Sequence, residues 1–117
     1  MSKAAKSVLV FGIYLVVIGL TFLVVPNVAL GLFGFPTTNE PWIRVVGMVL
    51  LFFAYFYVQA ARNELKLLFR WSVHVRSLVV VVFIVFVALG LAEPMLIMFG
   101  VADLLGALWT GWALRGS

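Results

Sequence analysis

A carboxylate sits where lipid is the expected surrounding. Asp103 lies in a run of Met, Leu, Phe and Ala that holds no other acid. Eight residues into that run, it stands about 12 Å below the nearer membrane boundary at ~1.5 Å per helical residue. A charge there needs a partner, a water-filled cavity or a proton, and intramembrane acids mark ion, proton or ligand sites. The expected partner is Arg44, about one turn into an earlier apolar run and the one basic residue toward the same boundary. Two readings of the pair stand side by side. It is a polar site open to the outer leaflet, or an ion pair that fixes the packing of two helices.

Helical geometry, at about 100° per residue, extends this site. Arg44, Leu51, Tyr55 and Arg62 fall close to one line, with Gly47 and Gln59 beside it. In the last run Leu96, Asp103, Ala107 and Thr110 align, flanked by Gly100 and Gly106. Small residues let helices approach closely in lipid, so these faces are expected to meet. Tyr55, Gln59 and Thr110 then lie deeper than the Arg44–Asp103 pair. A second polar group, Arg70, His74 and Arg76, is expected at the inner interface, in contact with lipid phosphate or setting topology. The chain has one histidine and no cysteine, so thiol chemistry and cysteine-based metal sites are excluded, and no metal or catalytic residue is assigned.

The elements that must position these residues follow from composition. Of 117 residues 66% are hydrophobic and 10% charged, against about a quarter charged in a soluble domain. The apolar residues come in four blocks, over residues 7–25, 42–61, 75–92 and 95–114. Each is close to the ~20 residues that cross a bilayer. The sequence therefore predicts one all-α domain, a polytopic four-helix membrane bundle with short interfacial segments. The first block exceeds a signal-peptide core and lacks a nearby small-x-small cleavage site, so it is read as a retained helix. Val28 to Phe35, punctuated by Gly31, Gly34 and Pro36, predicts a turn or short helix on the bilayer surface. Asn39 or Glu40 is expected to cap the second long helix, with Pro41 in its first turn. Arg62 to Arg76 reads as two helix ends and an interfacial connection, and Glu93-Pro94 as a tight turn.

In this scheme Lys3, Lys6, Arg62, Lys66, Arg70, Arg76 and Arg115 share one side, and Arg44 alone faces the other. The positive-inside rule then puts both termini in the cytoplasm. The basic residues flank apolar blocks and form no patch of their own, so the net charge of +4 does not point to nucleic acid.

Several short segments resemble the DoxX-like group of small four-helix bacterial membrane proteins. They are Arg44-Val-Val-Gly47, Tyr57-x-x-Ala60-Ala61-Arg62-Asn63, the stretch Trp71 to Arg76, and Asp103-Leu-Leu-Gly106-Ala107. The resemblance implies an inner-membrane subunit or accessory protein, in a family some of whose members are linked to quinone-dependent oxidation. Two functions are carried forward. One is a non-catalytic binder of an apolar ligand, lipid or quinone, or of a membrane-protein partner or second copy. The other is a small transporter or channel with Asp103 as the coupling carboxylate.

Overall fold

The computed structural model describes residues 1–32 and 34–115. It contains α1 (Lys3–Val24), α2 (Pro26–Leu32), α3 (Trp42–Arg62), α4 (Lys66–Ala88) and α5 (Met95–Arg115). Helices α1, α3, α4 and α5 have 21–23 residues and are apolar enough to cross a membrane. Their outward faces carry large apolar side chains such as Val17, Phe52, Phe56, Leu78 and Leu105, each about half exposed or more. No aqueous surface tolerates such a continuous apolar coat, so the fold is that of a multi-pass membrane bundle.

The start of α1 and the end of α5 lie at one end of the bundle, where Lys3 and Arg115 line the same cleft. Lys3, Lys6, Arg62, Lys66, Arg70 and Arg115 belong to this basic end, and Arg44 to the far end.

Two glycine contacts set the packing. A Cβ on Gly47 of α3 would lie 2.6 Å from the Leu23 amide nitrogen and 2.7 Å from the Gly19 carbonyl oxygen, both on α1. A Cβ on Gly100 of α5 would lie 2.9 Å from Val80 Cα of α4. Backbones this close exclude any side chain, the small-residue packing expected where lipid gives no hydrophobic drive between helices. Helix α1 therefore packs along α3, α5 packs along α4, and the two hairpins join where α1 meets α5. Among the described residues α3 makes no comparable seam with α4 or α5. The Cα envelope is correspondingly flat, 44 × 29 × 16 Å.

At the basic end the hairpins close. Ala4, Ala5 and Val8 of α1, Ala60 and Ala61 of α3, Phe69 of α4 and Ala113 of α5 form one fully buried layer. At the far end they stand apart, and α2 covers the gap with Ala29 and Leu30 packed on Phe22, Ile43 and Leu96. The short helix expected on the bilayer surface is thus α2, and its inner face is core.

Helix ends explain the other differences from expectation. Pro26 lacks an N–H, so α1 stops before it and α2 starts on it. Neither Asn39 nor Glu40 caps α3. Pro41 holds the cap position with no side-chain bond, while Glu40 accepts a hydrogen bond from the Trp42 indole. The third long helix begins at Lys66 instead of residue 75, and ends at Ala88 instead of 92. The connection before it shrinks to residues 63–65, because the polar residues after Lys66 alternate with apolar ones at helical spacing. Phe69, Ser72, Arg76 and Val80 face inward while Arg70 and His74 face out. Its early start is made by Glu64, a non-glycine residue at φ 54°. The Leu65 amide donates to the Ala60 carbonyl at 3.0 Å, the six-to-one bond of a Schellman ending. The Leu91 amide donates in the same way to Phe86 at 2.8 Å, with Gly90 at φ 75° supplying the left-handed residue.

Candidate functional site

Among the described residues the largest fully buried side chain is a cation. Arg76 is 2% exposed, ten residues into α4, or about 15 Å from its basic end. The Cα–Cβ bonds of a helix tilt toward its N-terminus, so the side chain runs back along α4 toward Ser72. Nε donates to the Ser72 carbonyl at 3.3 Å, and Nη2 donates to Ser72 Oγ at 3.1 Å and to Thr110 Oγ1 at 2.8 Å. The Phe11 ring lies 4.6 Å from the guanidinium carbon, within cation–π range.

From Thr110 the hydrogen bonds run in one direction. Ser7 Oγ donates to the Ala4 carbonyl at 2.7 Å, and the Thr110 and Ser7 hydroxyls share a bond at 2.6 Å. Each hydroxyl has a single proton, so Thr110 accepts from Arg76 and donates to Ser7. This relay links α4, α5 and α1 and ends against the buried apolar layer of Phe69 and the alanines. Arg76 Nη1 takes no part. It is buried, has no hydrogen-bond partner, and lies 3.3 Å from where a Gly106 Cβ would stand.

One turn farther along α5, Asp103 lies in the field of the Arg76 charge. No ion pair within 4.0 Å joins them, or any other two charged groups, among the described residues. The Asp103 side chain lines a cavity of about 330 Å³ between the two hairpins. Leu15 and Ile18 of α1, Leu30 of α2, Val46 and Leu50 of α3, Phe83 of α4 and Phe99 of α5 contribute apolar walls. Trp42 also lines it, with its indole N–H given to Glu40, and Tyr14 lies close enough for the charge of Asp103 to act on its phenol. Among the described residues neither the Asp103 carboxylate nor the Tyr14 hydroxyl makes a hydrogen bond.

The structure redistributes the residues expected at this site. Arg44 does not meet Asp103. It is exposed at the far end, where its Nη1 donates to the Leu23 carbonyl and satisfies a free acceptor at the end of α1. Tyr55 is 62% exposed and belongs to the lipid-facing side of α3. Gln59 is half-buried one turn before the end of α3, and its carbonyl accepts from the Asn63 side chain. Thr110 is fully buried, in contact with Arg76 instead of Arg44. Of the three residues expected at the interface, Arg70 and His74 are exposed and Arg76 is at the bundle centre.

Position along the chain groups Arg76 with the other basic residues between Arg62 and Arg76. The signal that separates it is local. Phe69, Ser72, Arg76 and Val80 repeat at spacings of three and four, the stripe of a buried face. Arg70 and His74 lie on the other side of that helix. No family model, curated protein or solved structure matches this chain.

Proposed function

We propose that this protein is a non-catalytic membrane subunit that holds an apolar molecule, lipid or quinone, between its two helical hairpins. The basic end faces the cytoplasm of a bacterial inner membrane, and the cavity opens in the outer half of the bilayer. The observation that carries the reading is Asp103. It is the one acid within the four spans, and its carboxylate faces an apolar cavity without a hydrogen bond. Such a group favours a polar partner within the cavity, and the walls around it favour one with an apolar body.

Transport through the bundle is the weaker reading. It has a membrane carboxylate, but toward the basic end the polar groups stop at a fully buried alanine and phenylalanine layer.

The test is native mass spectrometry of mildly extracted protein, wild type beside Val46→Trp and Asp103→Asn. The first substitution fills the cavity from α3 and the second removes the charge. A defined bound molecule in the wild type, lost in the first variant and weakened in the second, is the expected result. The same adducts in all three proteins, with only lower stability in the variants, would make the polar cluster structural.

A further inference from the structure

The polar lining of the cavity selects among apolar guests. Building on the cavity-binding reading, we infer that the guest carries a neutral hydroxyl headgroup, which donates to Asp103 and accepts from Tyr14.

The argument is one of charge and hydrogen-bond direction. An ionised carboxylate only accepts, so a guest that satisfies Asp103 must bring a donor. A carbonyl, ether or ester head has none. A carboxylate head has none either, and like charges at short range in a low-dielectric site repel strongly. An ammonium head is a donor, but the positive charge that balances Asp103 is already in place. Arg76, buried with Nη1 unpartnered, acts on the carboxylate and is not among the residues that line the cavity. A second cation in front of Asp103 would face that guanidinium across an apolar space. A neutral donor remains. Tyr14 narrows the choice, because its free phenol on the same lining is an O–H that needs an acceptor. A single hydroxyl oxygen serves both, with its proton to Asp103 and a lone pair to Tyr14. Arg76 is here a positioning residue. Its positive charge favours the carboxylate, acceptor form of Asp103 without touching the guest.

Matched twelve-carbon probes test this by native mass spectrometry of the purified full-length chain. They are 1-dodecanol, its methyl ether, dodecanoate and dodecylammonium. The wild type is expected to bind the alcohol at least about tenfold more tightly than the ether, the margin of one charge-assisted hydrogen bond. Dodecanoate and the ammonium compound should be weaker still. In Asp103→Leu the alcohol and ether should become equal, and in Tyr14→Phe the margin should narrow while ether binding is unchanged. Equal binding of alcohol and ether by the wild type overturns the headgroup assignment while leaving the cavity reading intact. Preference for the carboxylate or the ammonium does the same. If none of the four binds, the cavity reading itself falls. The Tyr14→Phe variant keeps Asp103 and Arg76, so the assignment is still tested if Asp103→Leu does not fold.

Discussion

Arg76 donates to Thr110 at 2.8 Å across the seam of α4 and α5, and Thr110 passes the bond on to Ser7 of α1. One threonine hydroxyl therefore ties three helices to a buried cation. Bonds to a charged group contribute more than neutral ones, and leaving a buried donor unpaired costs the desolvation of that donor. Thr110→Val keeps the shape and removes both bonds. We expect a loss of roughly 1.5–3 kcal/mol, from the range for hydrogen bonds to charged groups, in reversible unfolding in mixed micelles. A loss below ~0.5 kcal/mol would mean that Arg76 and Ser7 find other partners.

The glycine contacts predict a contrast between two alanine substitutions. At Gly47 a methyl group would meet α1 backbone at 2.6 and 2.7 Å, which no side-chain motion relieves. Gly47→Ala should cost about 1–3 kcal/mol, the range for overpacking, and should loosen α3 from α1. At Gly31 in α2 nothing lies within 4 Å of the added methyl. Gly31→Ala should be neutral, or stabilising by up to ~1 kcal/mol through helix propensity. Unfolding midpoints of the two variants, measured side by side, check this. Equal effects would remove the close crossing from the account of packing.

The architecture was legible in the sequence because four long apolar blocks admit few folds in lipid. Asp103 and Thr110 were legible as polar residues on one face of the last helix. Their partner was not. Depth along the bundle pairs Arg44 with Asp103 only where α3 faces α5. Gly47 instead locks α3 to α1, which leaves a cavity where that pairing would have been. Arg76 was hidden because α4 starts at Lys66, and that start depends on Glu64 adopting a conformation normally left to glycine. Composition gives no sign of such a turn.

That turn has its own pH dependence. The Ser2 amide and hydroxyl donate to the two Glu64 carboxylate oxygens at 2.6 and 2.7 Å, tying the start of α1 to the α3–α4 connection. Chiefly the Ser2 hydroxyl, then its amide, hold the Glu64 carboxyl below its ordinary range. A carboxyl with a lowered folded pKa contributes stability that is full above its unfolded pKa of ~4.3 and lost as pH falls through the lower folded value. The stability gap between wild type and Glu64→Gln should therefore be constant near neutrality and close in acid below that value. A gap independent of pH would place the effect of Glu64 in its backbone conformation and not in its charge.

Arg44 provides the control for the site. Its guanidinium is exposed, and water replaces it at the Leu23 carbonyl at little cost. Arg44→Met should change stability by less than ~1 kcal/mol, as for other solvent-accessible charged contacts, and should leave the bound molecule in place. Loss of the ligand in this variant, with the ligand retained in Asp103→Asn, would move the site to the far end of the bundle.

The orientation of the bundle rests on the distribution of charge, and the absence of cysteine makes it directly measurable. With Arg76 inside the bundle, six basic residues mark one end and Arg44 alone the other, so the bias survives the correction. Asn39 is exposed in the loop before α3, and Asn63 is exposed in the turn after it. They lie at opposite ends of one 21-residue helix, about 30 Å apart at ~1.5 Å per residue. By the positive-inside rule, Asn39→Cys in intact bacterial cells should react with a membrane-impermeant maleimide. Asn63→Cys should react only after the cells are opened. The reverse pattern would turn the cavity toward the cytoplasmic leaflet, and the guest would then come from that side. Labelling of both sites in intact cells would indicate two opposed orientations in the membrane, which the charge bias argues against.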